Sequence, residues 1–231
     1  MTPLILCYGG TFDPVHTGHL AIARAVRDAL HADVHLLPAA DPPHKGPTHA
    51  DAEQRAHMLA LAVDGEAGLI VDRRELRRAG PSYTVDTLRE LRDEFGPHAP
   101  LVWMVGGDSV FELDTWHRWR QLFELAHVLA IARPGAPIDE AALAARAPAV
   151  HAELAPRWCR PAQLHALPAG GFAEFRLGAE RPESSTELRR RIAAGDRRWP
   201  EWLAPAVARY IADHRLYGAD AFTSAADGGL V

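Results

Sequence analysis

The chain has 231 residues, 48% hydrophobic and 24% charged, with 25 Lys plus Arg against 30 Asp plus Glu and a formal net charge of -5. That composition is globular and large enough to bury a core without disulfide or metal staples, and its weak acidity argues against a nucleic-acid binder. No run approaches the roughly 18 to 20 apolar residues of a membrane span, Met1-Thr2-Pro3-Leu4 has no basic lead, and Cys7 and Cys159 form no C-x-x-C pair, so the expectation is a cytoplasmic enzyme without a membrane partner.

In chain order, residues 3–9 read as a short buried strand ending in Gly9-Gly10. Residues 18–31 carry Leu20, Ala23, Val26 and Leu30 at helical spacing. Residues 34–37 are a second strand closed by Pro38, and a proline-rich loop follows over 41–47. A helix over 51–63 puts Arg55, Met58, Leu59 and Ala62 in register, and 69–71 is a third strand. The helix over 84–95 has Val85, Leu88, Leu91 and Phe95 on its inner face. Residues 101–105 and 127–131 are a fourth and a fifth strand. The Ala- and Pro-rich stretch 134–170 holds a short helix near 138–146 and then surface loop. Helices follow over 184–195, opened by Ser184-x-x-Glu187 as a capping box, and over 203–214. Residues 1–217 are expected to form one domain and 218–231 a frayed tail. Continuous apolar strands alternating with helices predict an α/β fold, a Rossmann-like doubly wound parallel sheet with helices on both faces and a C-terminal helical segment. In such sheets ligands bind beyond the carboxyl ends of the strands, so the residues after strands are the informative ones.

The segment after the first strand is Gly9-Gly10-Thr11-Phe12-Asp13-Pro14-Val15-His16-Thr17-Gly18-His19-Leu20. Glycines let a backbone approach a phosphate, and the following helix N-terminus offers free N–H groups and a favourable dipole. Two histidines three residues apart can face the same point, which suits a triphosphate on which charge builds. With 13 histidines in the chain such a pair also arises by chance, but a zinc site finds no third ligand at metal-like spacing. The chain has a single lysine, Lys45, where a mobile point charge can reach a phosphate; an ordinary loop lysine is the plainer alternative.

His16-Thr17-Gly18-His19 resembles the H-x-G-H signature of the nucleotidyltransferase superfamily. Ser184-Ser185-Thr186-Glu187-Leu188-Arg189 resembles its second signature, with Glu183 where an apolar residue is usual. Pro42-Pro43-His44-Lys45, Ser82-Tyr83-Thr84-Val85-Asp86-Thr87-Leu88, Gly106-Gly107-Asp108-Ser109 and Thr115-Trp116-His117 resemble segments of the bacterial nicotinate-nucleotide adenylyltransferases, and the likeness spans roughly residues 3 to 217. The resemblance implies that ATP and nicotinate mononucleotide, with Mg²⁺, give deamido-NAD and pyrophosphate.

Carried onto this sequence, it makes His16, His19, Lys45 and Arg189 the catalytic set. ATP would be held by Gly9, Gly10, Thr11, Phe12, His16, Gly18, His19, Gly106, Asp108, Ser184, Ser185, Thr186 and Arg189. The nicotinate nucleotide would be held by His44, Lys45, Tyr83, Thr84, Trp116, His117 and Arg133. Ser184 and Ser185 are also candidates for simple helix caps, and Trp119 for the packed aromatic in place of Trp116. Mg²⁺ would ride mainly on the ATP phosphates, with Asp108 as a possible ligand and Asp13 as a weaker one. A homo-oligomer stays open. The rivals are the same chemistry on nicotinamide mononucleotide or another phosphate acceptor, and a non-catalytic nucleotide-binding regulator; a class I tRNA-charging enzyme would need far more chain.

Overall fold

The computed structural model describes residues 3–42, 47–132, 138–179 and 181–219. The candidates His44, Lys45 and Arg133 and the segment 220–231 lie outside the described residues.

Six parallel strands form one sheet in the order β3-β2-β1-β4-β5-β6. They are β1 (Ile5–Gly10), β2 (Val34–Pro38), β3 (Leu69–Val71), β4 (Leu101–Gly106), β5 (His127–Ala132) and β6 (Phe172–Arg176). The helices are α1 (Thr17–Leu30), α2 (Ala52–Val63), α3 (Thr84–Phe95), the single turns α4 (Gly107–Val110) and α5 (Leu122–Leu125), α6 (Glu140–Arg146), α7 (Pro148–Leu154), α8 (Ser185–Ala193) and α9 (Pro205–Asp213). Alternate strand residues feed two cores. Leu6, Val102, Met104 and Leu129 pack with α1, α2, α8 and α9 on one face. Cys7, Trp103, Val105 and Val128 pack with α3 to α7 on the other. The predicted doubly wound sheet is therefore present; the predicted stripe of α1 is buried, and that of α3 is buried except for Phe95, which is half-buried.

Two expectations need correction. The stretch after 146 is not surface loop: Pro148, which needs no N–H donor at a first helical position, opens α7, and Val150, Leu154 and Leu164 are fully buried. A sixth strand then closes the sheet edge, with Phe172 and Ala173 buried against β5.

Local chemistry sets the helix starts around the site. Asp51 accepts from the Gln54 N–H at 2.8 Å while the Gln54 amide oxygen accepts from the Asp51 N–H at 3.1 Å, a full capping box for α2. At α8 only half of the predicted box forms. The Ser184 hydroxyl accepts from the Glu187 N–H at 3.2 Å, but the Glu187 carboxylate turns to Arg190 and Arg191. The strand order reverses between β1 and β4, so the crevice at their carboxyl ends is the expected ligand position.

Candidate active site

The β1–α1 loop is built from residues whose shapes fit only one another. A Cβ on Gly9 would stand 2.3 Å from the Trp103 ring, and one on Gly10 would stand 2.9 Å from the Phe12 ring. Phe12 itself adopts φ 49°, in the left-handed region, with its side chain buried. Its ring meets that of His19 edge-on at 5.0 Å. His16 ends the loop in extended backbone as the N-cap of α1. The His19 Nδ1 accepts the His16 backbone N–H at 3.2 Å, and the two imidazoles stack at 3.7 Å. Gly18 makes room for that stack, since a Cβ there would lie 3.0 Å from His16 Nδ1. The H-x-G-H spacing is thus a packing requirement as well as a chemical one. Burial lowers the His16 pKa to about 4, with the nearby Glu183 carboxylate opposing the shift, so the imidazole is neutral at pH 7 in the free protein.

The amino end of α8 meets this loop from the other side. The Ser185 hydroxyl donates to the Pro14 carbonyl at 3.0 Å, and the Arg189 guanidinium donates to the Asp13 carbonyl at 2.6 Å. Asp13 is the knot of the region. Its carboxylate accepts from the backbone N–H of His49 and Ala50 and from the Tyr217 hydroxyl, and Arg189 lies 3.9 Å away. Burial opposes its charge, but those hydrogen bonds hold the Asp13 carboxyl below the ordinary range. Asp13 thereby ties the loop to the C-terminal segment.

Two connected cavities result. One of about 520 Å³ is lined by Gly9, Gly10, Thr11, Phe12, His19 and Arg189. One of about 590 Å³ is lined by His16, Gly18, Asp108, Ser184 and apolar Ile22, Ile131 and Leu177. His19, Gly106, Ser185 and Thr186 border both. Every residue expected to touch ATP therefore lines one continuous crevice beyond β1 and β4.

The chain matches the model of the cytidylyltransferase-like family over residues 7–191. It is 50% identical over 223 residues to a protein of Stenotrophomonas maltophilia named "Probable nicotinate-nucleotide adenylyltransferase", covering 94% of this chain and 98% of that one. It is 48% identical to the protein of the same name from Laribacter hongkongensis, covering 91% and 92%. The chain belongs to the nicotinate-nucleotide adenylyltransferases of that family. The Plasmodium falciparum nicotinic acid mononucleotide adenylyltransferase complexed with NaAD shares the fold of this adenylyltransferase, at a TM-score of 0.68, 15% identity and coverage of 94% and 98%.

Of the residues expected at the acceptor end of the adenylyltransferase, Tyr83 and His117 are in contact. Tyr83 caps α3, Thr84 begins it, and the Tyr83 ring stacks on His117 at 4.3 Å. Trp116 is half-buried on the same face, whereas Trp119 is 7% exposed and is the packed tryptophan. Behind them lies a network that sequence reasoning did not find. Glu75, 4% exposed, accepts from the Thr87 hydroxyl at 2.7 Å, and Arg78 reaches both Thr87 and Glu90. The Ser82 hydroxyl accepts the Ala40 and Asp41 N–H groups at 3.0 and 3.3 Å and bonds to Glu75. Burial pushes the Glu75 carboxyl up, against its hydrogen bonds. A second brace is Arg55, fully buried, which donates to the carbonyls of Thr11, Ala39, Ala40 and Ala50. An arginine on the apolar stripe of a helix was the only signal of it.

Proposed function

We propose that this chain joins ATP to nicotinate mononucleotide, giving deamido-NAD and pyrophosphate, with the residue roles that follow. An oxygen of the mononucleotide phosphate attacks the α-phosphorus of ATP. A new P–O bond forms, the bond from the α-phosphorus to the bridging oxygen breaks, and the electron pair leaves on pyrophosphate. The nucleophile is already anionic, so catalysis consists of placement and charge stabilisation. His16 and His19, stacked against each other at the start of α1, face the phosphates. The first turn of α8, with Thr186 and Arg189, holds the β- and γ-phosphates at a helix N-terminus. Tyr83, Thr84, Trp116 and His117 receive the pyridine ring and its carboxylate.

Among the described residues no three His, Cys, Asp or Glu side chains group to hold a metal. Asp108 is an exposed carboxylate on the crevice wall, and one carboxylate plus substrate phosphates is an ordinary Mg²⁺ arrangement, so the residues fit the ion. When bound, Mg²⁺ would neutralise phosphate charge. No described helix is long and apolar enough to cross a membrane, and we place the reaction in the cytoplasm.

The observation that carries the reading is the crevice that gathers both signatures at the β1–β4 switch point. Pyrophosphate release from Mg²⁺-ATP, with nicotinate and nicotinamide mononucleotides offered separately, tests it. Release mainly with the nicotinate form is expected. Release with neither would overturn the acceptor, and equal release would overturn the selectivity.

A further inference from the structure

Four segments of the chain meet at the Asp13 carboxylate, which belongs to a residue only 4% exposed. One of its oxygens accepts the Tyr217 hydroxyl at 2.8 Å and the Ala50 N–H at 3.2 Å, and the other accepts the His49 N–H at 2.9 Å. A buried carboxylate needs its lone pairs met, and hydrogen bonds to a charged acceptor are the strong ones. Tyr217 supplies the shortest of the three. It stands in the turn after α9, where Arg215 and Tyr217 hold left-handed backbone at φ 50° and 58°. Residues with a Cβ enter that region only where their surroundings hold them there. Here the Tyr217 ring packs against the core beneath α8 and α9 and carries its hydroxyl to Asp13.

Arg189 stands at the same carboxylate without closing on it. Its guanidinium donates to the Asp13 main-chain carbonyl at 2.6 Å and to the Thr186 hydroxyl at 3.4 Å, and it stops 3.9 Å from the Asp13 carboxylate. A closed guanidinium–carboxylate pair is tighter, at about 2.7–2.9 Å. The open position leaves Arg189 on the wall of the cavity that also holds Gly10, Thr11 and His19. The other guanidinium close to Asp13, that of Arg55, is committed to four backbone carbonyls. Without the tyrosine hydroxyl the carboxylate would lack a donor, and Arg189 is the cation with a short path to it. A guanidinium closed on Asp13 has fewer N–H groups for a phosphate.

We propose that Tyr217 is a positioning residue for Arg189: its hydroxyl satisfies Asp13, holds the guanidinium in the open position and so keeps it available to the ATP phosphates. The proposal rests on the assignment of Arg189 to ATP, and it makes the turn after α9 part of the ATP-binding apparatus.

A double-mutant cycle on the full chain tests it, with Tyr217→Phe, Arg189→Gln and the two together. Pyrophosphate release is measured with Mg²⁺-ATP and nicotinate mononucleotide varied in turn. Phenylalanine keeps the ring packing, and circular dichroism checks the fold. Tyr217→Phe should lower kcat/KM for ATP about tenfold with KM for the nicotinate nucleotide unchanged, and Arg189→Gln should lower it on the order of a hundredfold. The double variant should be no worse than Arg189→Gln alone, because with no guanidinium there is nothing left to position. Effects that multiply, a Tyr217→Phe protein that uses ATP as the wild type does, or KM values for both substrates rising together would overturn the proposal. An Arg189→Gln protein with wild-type use of ATP would overturn the assignment of Arg189 instead. Should Tyr217→Phe not fold, magnetic resonance of the wild type saturated with a non-hydrolysable ATP analogue decides. The Arg189 Nε resonance should shift while the Tyr217 hydroxyl proton stays protected from exchange with water. A freely exchanging hydroxyl proton overturns the positioning role, and an unshifted Arg189 resonance overturns the assignment of Arg189 to ATP.

Discussion

The two halves of the proposed site are built on opposite plans. On the acceptor side, the described groups behind Tyr83 and Thr84 are paired: Glu75 with Thr87 and Ser82, Arg78 with Thr87 and Glu90, Ser82 with two backbone N–H groups. On the donor side, glycines keep the wall open, and the two buried polar side-chain atoms left without a hydrogen-bond partner among the described residues belong to His16 and Glu183, which flank Gly18. A completed network rigidifies, while a buried polar group left unpaired is costly. The contrast teaches that the polar groups behind Tyr83 and Thr84 are already paired, whereas those beside the H-x-G-H loop are in part left unpaired among the described residues.

Arg55 spans both halves, so its replacement should have the largest effect on stability. Arg55→Met strips the donor from four carbonyls, two of them at the end of β2 and one in the phosphate loop. A loss of ~3 kcal/mol or more is expected in urea unfolding, together with weakened binding of both substrates. A variant as stable as the wild type would show that the halves are not joined through this residue.

Gly18→Ala probes the donor half alone. Its new methyl must displace the His16 ring, so kcat should fall on the order of tenfold to a hundredfold while KM for nicotinate mononucleotide holds. Glu75→Gln probes the acceptor half alone. It puts an amide where the Thr87 and Ser82 hydroxyls meet the carboxylate, and KM for the nicotinate nucleotide should rise about fivefold with KM for ATP unchanged. A reversed pattern of KM changes would erase the distinction between the halves.

The smallest effect is in pH dependence. His16 has a folded pKa of about 4 against an ordinary 6.5, so the unfolded chain binds more protons between those values. His16 therefore contributes stability that is complete above about pH 6.5 and lost as pH falls toward 4. Melting temperatures over that range should drop less in His16→Asn than in the wild type.

How much of this was legible in the sequence follows from range. The H-x-G-H loop, the strands β1, β4 and β5 and the stripes of α1 and α3 are contiguous patterns, and they stand where the residues placed them. The segment β6 was missed because Phe172-Ala-Glu-Phe-Arg176 is half polar at a sheet edge, and a five-residue run there resembles loop. Asp13, Arg55, Glu75 and Tyr217 were missed as structural members of the site for another reason. Each acts through partners distant in the chain, such as the 2.8 Å hydrogen bond from Tyr217 to Asp13, and a single sequence does not say which distant residues meet. Glu183 was visible as a departure from the signature, but the hydrogen bond it accepts from Thr17 required the fold.

The central claim is that the histidine pair of the donor half performs the transfer. Pyrophosphate release by His19→Ala at saturating Mg²⁺-ATP and nicotinate mononucleotide tests it most directly, with circular dichroism matched to the wild type. The account predicts a fall in kcat of about 10²- to 10³-fold, the scale for losing one preorganised group at a developing charge. Wild-type turnover in a correctly folded His19→Ala protein would contradict it.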